Sequence, residues 1–178
     1  MSSMTEWIAL LRGINVGGHK KVPMAHLRAI ADQLWPDCPS RTYIASGNLI
    51  FHADGTGIEL GNRLAAEIQA NFGLVVPVLV LKTSEFAAQV CGCPFDMHEP
   101  KHVHGYFCFD KPRIDADLLS GLATSSDTLS VTDQVIWLHT ANGFSKSKLA
   151  EKMTRVAGVE LTARNLNTCR KLVEMLDG

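Results

Sequence analysis

The sequence contains no apolar run long enough to cross a lipid bilayer. The longest runs, such as Leu74 to Leu81, fall far short of the ~20 residues that a spanning helix needs. Residues Met1 to Glu6 lack the basic and apolar regions of a secretory signal. The five cysteines are an odd number, which suits a reducing compartment better than a disulfide framework. These absences predict a cytoplasmic protein without a membrane partner.

The composition is that of an ordinary globular protein. Hydrophobic side chains make up 46% of the 178 residues and charged side chains 20%. This balance excludes disordered, collagen-like and disulfide-stapled chains. A chain of this length buries roughly 70% of the surface that the unfolded chain exposes. We therefore expect a packed core, in one domain or in two small ones.

The net charge of −1 conceals two basic segments. No acidic residue occurs between Trp7 and Ala31, a stretch that holds four Lys and Arg side chains. Residues 145–171 carry seven basic side chains against two acidic ones. If folding brings these segments together, they form a local anion site; the alternative is two solvated helix faces. A chain that is near neutral overall does not favour general binding to duplex DNA.

The apolar periodicity predicts the same order of elements in both halves of the chain, namely strand, helix, two strands, helix and strand. In the first half these elements are expected at residues 6–12, 24–34, 41–45, 48–52, 58–72 and 75–81. In the second half they are expected at residues 103–109, 116–122, 128–131, 135–139, 148–156 and 159–162. A further helix ends each half, at residues 84–90 and 165–176. This is the order of a ferredoxin-like unit. It predicts an α+β fold, a tandem duplication of ferredoxin-like units that pack into one compact protein. The two units are expected at residues 5–91 and 101–178.

A glycine-rich loop follows the first predicted strand and precedes the first predicted helix. It runs from Arg12 through Gly13-Ile14-Asn15-Val16-Gly17-Gly18 to His19-Lys20-Lys21. Backbone amides and the helix N-terminus can bind an anion at such a junction. The glycine spacing matches neither the phosphate loop nor the dinucleotide fingerprint, so the prediction rests on position, glycine and charge. The alternative is that the glycines only shape a long connection.

Two polar clusters add hydrogen-bonding groups, one around the predicted hairpin at residues 41–48 and one at residues 162–168. Within the second cluster, Asn165 is a candidate N-cap for the last helix. We predict that these groups and the basic segments form a ligand site between the halves. Its candidate residues are Arg12, Lys20, Lys21, Lys146 and Arg164 for charge, and Asn15, Ser46, Asn48 and Asn167 for orientation. The alternative is that the polar groups tie the halves together by hydrogen bonds.

Other chemical signals in the sequence are weaker. Three cysteines and three histidines lie between Cys91 and Cys108, but their spacing matches no standard zinc site. We therefore expect no metal and no cofactor. Ser46 lacks the nucleophile-elbow motif, and residues 47–52 lack the paired aromatics with which such sheets stack RNA bases.

Four segments carry a resemblance to a known family. They are Ala9-Leu10-Leu11-Arg12-Gly13-Ile14-Asn15-Val16-Gly17-Gly18, Arg41-Thr42-Tyr43, Ser46-Gly47-Asn48 and Arg164-Asn165-Leu166-Asn167-Thr168. Together they resemble the hallmarks of the bacterial family named domain of unknown function sixteen ninety-seven, over nearly the whole chain. The family usually has Trp where this chain has Leu166. The resemblance implies tandem ferredoxin-like units and no established reaction.

Three functions remain open at the level of sequence. The first is an uncharacterised protein that binds a small anionic ligand, a nucleotide or phosphorylated metabolite, at the basic, Asn-rich site. The second is a nucleic-acid-binding module that uses the same basic residues. The third is an enzyme of unknown reaction. Salt dependence separates the first two, since many phosphate contacts make affinity fall steeply with salt. The sequence indicates neither the ligand nor the oligomeric state.

Overall fold

The computed structural model describes residues 4–176. This part of the chain forms two compact units, the first of residues 4–87 with Leu176 and the second of Ala88–Met175. It is a mixed α+β protein with two similar halves, two four-stranded antiparallel sheets and, among the described residues, seven α-helices. None of the helices in residues 4–176 is long and apolar enough to span a membrane.

The first unit has four strands and two helices, and a third helix, which begins here, continues into the second unit. Their bounds are β1 (Thr5–Leu11), α1 (Met24–Leu34), β2 (Arg41–Thr42), β3 (Asn48–Ala53), α2 (Gly57–Phe72), β4 (Val78–Lys82) and α3 (Thr83–Cys91). The strand order is β2-β3-β1-β4, and all neighbours are antiparallel. Helix α2 begins with a capping box between Thr56 and Glu59 and ends at Gly73, whose φ is +66°.

The second unit repeats this order with a divided second helix. Its elements are β5 (Val103–Cys108), α4 (Ala116–Leu122), β6 (Asp127–Val131), β7 (Val135–Thr140), α5 (Lys148–Glu151), α6 (Met153–Ala157), β8 (Leu161–Asn165) and α7 (Leu166–Met175). The strand order β6-β7-β5-β8 is equivalent to that of the first sheet. Short 3-10 helices precede β5 at Pro100–His102 and follow β7 at Phe144–Lys146.

Strand β1 is buried on both faces, as its unbroken apolar run predicts. Trp7, Ala9 and Leu11 join one core cluster with apolar side chains of α1 and α2. Ile8 and Leu10 point to the opposite face and are also fully buried. Alternating residues of a strand face opposite sides of the sheet, so burial of both sets explains why no polar residue interrupts this run.

The structure corrects several predicted boundaries. The helix predicted at residues 148–156 is two helices, because Lys152 leaves helical geometry at φ −102° and ψ 12°. Strand β4 begins only at Val78, since Pro77 has no N–H to donate to a sheet ladder. The second predicted strand shortens to Arg41–Thr42, and the strand predicted at residues 159–162 lies at Leu161–Asn165 instead.

Candidate functional site

The glycine-rich loop of the first unit is held in place by Asn15. The Asn15 Nδ2 atom donates to the carbonyls of Val22 at 2.9 Å and Ala45 at 2.7 Å. Its Oδ1 accepts the N–H of Val22 at 2.9 Å, and its own N–H donates to the Lys20 carbonyl at 3.1 Å. The Asn15 φ of +54° lies in the left-handed region, which asparagine tolerates better than most residues. This candidate ligand residue therefore holds the loop closed and fastens it to the neighbouring turn.

Ser46 and Asn48 hold the turn between β2 and β3. Asn48 is fully buried, and its Nδ2 donates to the Tyr43 carbonyl at 2.9 Å and to Ser46 Oγ at 3.0 Å. Between them Gly47 has a φ of +90°, and a Cβ there would lie 2.8 Å from side-chain atoms of Ile14 and Leu11. The Ser-Gly-Asn sequence thus packs the turn closely against the glycine-rich loop.

The cations of this loop differ in their surroundings. Arg12 is half-buried directly after β1, and its backbone N–H donates to the Pro77 carbonyl at 3.0 Å. Lys20 and Lys21 are exposed, and Lys20 Nζ donates to the Val75 carbonyl at 3.3 Å. Lys21 contributes to the lining of a hollow of about 360 Å³ at the start of α1.

In the second unit, Arg164 is a buried residue at the end of β8. Its Nη1 donates to Thr162 Oγ1 and to the Ala163 carbonyl, both at 2.8 Å. Burial lowers the pKa of the Arg164 guanidinium to about 10, so it keeps its charge at neutral pH. The neighbouring Asn165 Oδ1 accepts the N–H of Thr168 at 2.9 Å, which confirms the predicted N-cap of α7. Asn167 is exposed.

A cleft of the second unit surrounds Lys146. It has a volume of about 520 Å³ and lies where the end of α4, the start of β6, the end of β7 and the start of α5 come together. Its lining residues are mostly small and polar, and they include Thr124, Ser126, Asp127, Asn142, Gly143, Lys146, Ser147 and Lys148.

The charges of this cleft are not balanced. The Asp127 carboxylate accepts the N–H and Oγ1–H of Thr124 at 3.0 and 3.2 Å, and the Ser147 Oγ–H at 3.0 Å. Lys146 and Lys148 are exposed, and neither has an ion-pair partner among residues 4–176. The cleft therefore offers two ammonium groups, while its carboxylate already has three hydrogen-bond donors.

A half-buried histidine, His104, supports the turn that bears Lys146. The His104 ring stacks on Phe144 with a centroid distance of 3.8 Å, and Phe144 opens the 3-10 helix Phe144–Lys146. Burial first, and the charge of His102 second, lower the pKa of His104 to about 4. Its Nδ1 is buried without a hydrogen-bond partner in the described part of the chain. At neutral pH, His104 is thus a neutral packing surface for this turn.

The sequence pattern indicated Lys146 as a site residue but not Lys148, Thr124 or Asn142, which line the same cleft. The available signal was the polar stretch Thr124-Ser125-Ser126 before β6, together with the Asn142-Gly143 pair after β7. That the glycine-rich loop and the polar cluster at residues 162–168 belong to one ligand site stays a prediction. Within residues 4–176, no three His, Cys, Asp or Glu side chains are grouped to hold a metal ion.

Comparison with known proteins decides the family. Residues 4–137 match the family model of the Protein of unknown function DUF1697. The chain belongs to this family. Among solved structures, this DUF1697 chain is similar to the conserved bacterial protein SP0830 from Streptococcus pneumoniae, with a TM-score of 0.75 and 24% sequence identity. The alignment covers 99% of this chain and 100% of that one, and at this identity it shows a shared fold alone. No curated protein matches the chain.

Proposed function

We propose that this DUF1697 protein binds a small anionic molecule, a nucleotide or phosphorylated metabolite, in the cleft around Lys146. The observation that carries the proposal is that Lys146 and Lys148 have no ionic partner among residues 4–176 and lie in one cleft with a carboxylate that is already hydrogen-bonded. A phosphate group would supply the missing negative charge. Bonds between charged partners are shorter and stronger than neutral ones, so the lysines would provide most of the affinity.

The size and polarity of the cleft support the same reading. Its volume of about 520 Å³ lies in the range typical of small-molecule sites, roughly 300–1,000 Å³. Asn142 Nδ2 donates to Ser126 Oγ at 2.6 Å, which fixes two polar groups of the lining before any ligand arrives. Gly143 has a φ of +99° and no atom within 4 Å of where its Cβ would be, so the backbone here is open to a ligand.

The remaining sequence candidates contribute to the proposal in different ways. Arg12, Lys20 and Lys21 belong to the other basic segment, which the sequence predicts to contact the same ligand. Arg164 is buried at the end of β8, and Asn167 lies exposed on the first turn of α7. That these five residues also contact the ligand stays a prediction from the sequence, since none of them lines the cleft around Lys146.

Calorimetric titration of the full chain with ATP, ADP, glucose 6-phosphate and inorganic phosphate tests the proposal, with adenosine as the uncharged control. Lys146→Ala/Lys148→Ala should weaken the best anion at least about tenfold, since a lost charged hydrogen bond costs about 1.5–3 kcal/mol. The matched control is Lys101→Ala/Lys111→Ala, which removes two exposed charges from the same unit outside the cleft. Absence of binding, or an equal loss in the control, would contradict the proposal.

The same titrations separate nucleic acid from a small ligand. Several phosphate contacts along a strand give a steep fall of affinity with salt, whereas a single phosphate in a cleft gives a shallow one. If oligonucleotides bind more tightly than nucleotides and show the steep dependence, the ligand is nucleic acid. Product analysis of the bound nucleotide or sugar phosphate after incubation would detect turnover and so an enzymatic reaction.

We further propose that the two units are a tandem duplication of one ferredoxin-like unit. The support is that both sheets have the first strand of the unit between the third and the fourth, with the second at the edge. Both also place a helix after the first and third strands. In an experimental structure, residues 4–87 should superimpose on Ala88–Met175 with all four strands aligned in sequence order.

A further inference from the structure

A second surface, at one end of the first sheet, combines exposed aliphatic side chains with basic ones. It consists of residues 12–23, 43–47 and 73–77, which we call the three-loop surface. The strand register places the three segments at the same end, since β1 ends where β3 and β4 begin. We propose that the three-loop surface binds a protein partner through a peptide segment that carries both acidic and aliphatic side chains. This inference is independent of the ligand proposed for the other unit.

The aliphatic part consists of Val16, Ile44 and Val75, which are 66%, 46% and 70% exposed. Hydrogen bonds from side chains to backbone carbonyls connect the loops that carry them. Lys20 Nζ donates to the Val75 carbonyl at 3.3 Å, and Asn15 Nδ2 donates to the carbonyl of Ala45, the residue after Ile44. Three large apolar residues exposed on adjoining loops mark an interaction site more often than scattered single ones do.

The charge of the three-loop surface has one sign. Its three segments contain Arg12, Lys20 and Lys21 and no aspartate or glutamate. Lys20 and Lys21 are exposed. Cations on the same loops as exposed apolar side chains resemble half of a protein interface, in which polar side chains form the rim of an apolar centre. The complementary half requires carboxylates around aliphatic side chains.

The shape of the surface favours a peptide over a membrane or a nucleic acid. A hollow of about 360 Å³ opens beside the glycine-rich loop, lined by Gly18, Pro23, Met24 and Ala45 together with Lys21. An aliphatic side chain can enter such a hollow, whereas a bilayer would meet Val and Ile rather than the Trp, Phe and Leu typical of membrane insertion. Single-stranded nucleic acids bind by stacking successive bases on aromatic rings, whereas this surface exposes three aliphatic side chains and one imidazole, that of His19, and its Tyr43 is half-buried.

The three-loop surface is also organised before any partner binds. Asn15 holds the glycine-rich loop to Val22 and to the turn, and Asn48 closes that turn from within. A surface fixed in this way loses little conformational entropy on binding, which favours affinity for a short segment.

Selection of a random phage-displayed peptide library against the full chain tests the inference. The enriched peptides should contain Asp or Glu next to Val, Ile or Leu, and they should be depleted of Lys and Arg. A synthetic, fluorescein-labelled peptide of the enriched sequence is then titrated by fluorescence anisotropy. We expect Lys20→Glu/Lys21→Glu to weaken its binding at least about tenfold, and Val16→Ser/Val75→Ser at least about fivefold, because the first pair reverses the attraction and the second removes the apolar centre.

Matched controls come from the same unit. Lys82→Glu reverses an exposed charge at the opposite end of β4, and Ile58→Ser removes a 79%-exposed aliphatic side chain from α2. Both should leave peptide binding unchanged, and circular dichroism should show that all four variants fold. The inference is overturned if no acidic, aliphatic sequence is enriched, or if the control variants lose as much binding as the surface variants. It is equally overturned if the surface variants instead abolish binding to vesicles containing phosphatidylserine or to a single-stranded oligonucleotide.

Discussion

Replacing Asn15 by alanine tests whether this residue holds the loop or binds a ligand. Asn15→Ala removes two donated and one accepted side-chain hydrogen bond, at 2.7 to 2.9 Å. It also leaves an alanine at φ +54°. Each lost bond costs about 0.5–1.5 kcal/mol net, and the left-handed backbone adds about 1 kcal/mol. Because Asn15 is only half-buried, water replaces part of the loss, and we expect the free energy of unfolding to fall by about 2–4 kcal/mol.

Two further variants separate the hydrogen bonds from the backbone. Asn15→Gly loses the same bonds but has no Cβ, so it should be more stable than Asn15→Ala by about 0.5–1 kcal/mol. Asn15→Asp keeps the acceptor for the Val22 N–H but turns a carboxylate towards the carbonyls of Val22 and Ala45. It should be at least as unstable as the alanine variant. Urea denaturation followed by circular dichroism measures all three.

The opposite result would identify a ligand contact. If the free energy of unfolding of Asn15→Ala lies within about 0.5 kcal/mol of that of the parent chain, as it does for neutral surface substitutions, then the three hydrogen bonds do not hold the loop. If the same variant also loses anion binding, the sequence-based assignment of Asn15 to the ligand would be correct and our structural account of it wrong.

Three other substitutions have effects of known sign. Ile44 is a β-branched residue at φ +51°. The substitution Ile44→Gly should raise the free energy of unfolding by about 0.5–1 kcal/mol, because relief of the left-handed backbone strain exceeds the added entropy of the unfolded chain. Thermal melts measure this change. His104 has its pKa lowered by burial to about 4 from an ordinary 6.5, so the unfolded chain takes up the proton first as pH falls. The free energy of unfolding should therefore drop by about 1–3 kcal/mol between pH 6.5 and pH 4, and His104→Phe should remove this dependence in urea titrations at each pH. Gly105→Ala would place a Cβ 2.8 Å from the Trp137 ring and should cost about 1–3 kcal/mol, again measured with urea, whereas Gly121→Ala meets no atom within 4 Å and should not destabilise.

The order of the elements could be predicted from the sequence because each strand and helix has its own apolar period. The unbroken run of β1 indicated burial on both faces, and the spacing of apolar residues in α2 continued until Gly73 ended it. The break at Lys152 could not be predicted, since one residue outside helical geometry leaves the apolar spacing of both flanking helices unchanged. Nothing in the local sequence explains that break.

Site residues were harder to predict because a polar side chain in a loop has two uses. Asn15 and Asn48 are of a residue type, and at positions in the sequence, that suit ligand contacts. In the structure their side-chain amides instead donate hydrogen bonds to backbone carbonyls of neighbouring segments. Lys148 gave a weaker sequence signal than the two asparagines, since exposed lysines are common. In the structure Lys148 lines a cleft, and its ammonium group has no ionic partner among the described residues. A polar side chain that holds a loop can be distinguished from one that is free to bind a ligand only by the hydrogen-bond and ionic partners of its polar atoms in the structure.

Whether the two basic segments of the sequence contact one anionic ligand, as the sequence predicts, is decided by variants already described. If the ligand lies in the cleft around Lys146 alone, Lys20→Glu/Lys21→Glu should leave phosphate affinity within about twofold of the parent chain, because neither lysine lines that cleft. We expect this result, because Lys146, Lys148 and the polar groups of the cleft all belong to the second unit. A loss of tenfold or more from Lys20→Glu/Lys21→Glu, with the fold intact by circular dichroism, would instead require both basic segments to contact the same ligand. The glycine-rich loop would then be part of the anion site that the sequence predicts, and the three-loop surface would have to share its lysines with that ligand.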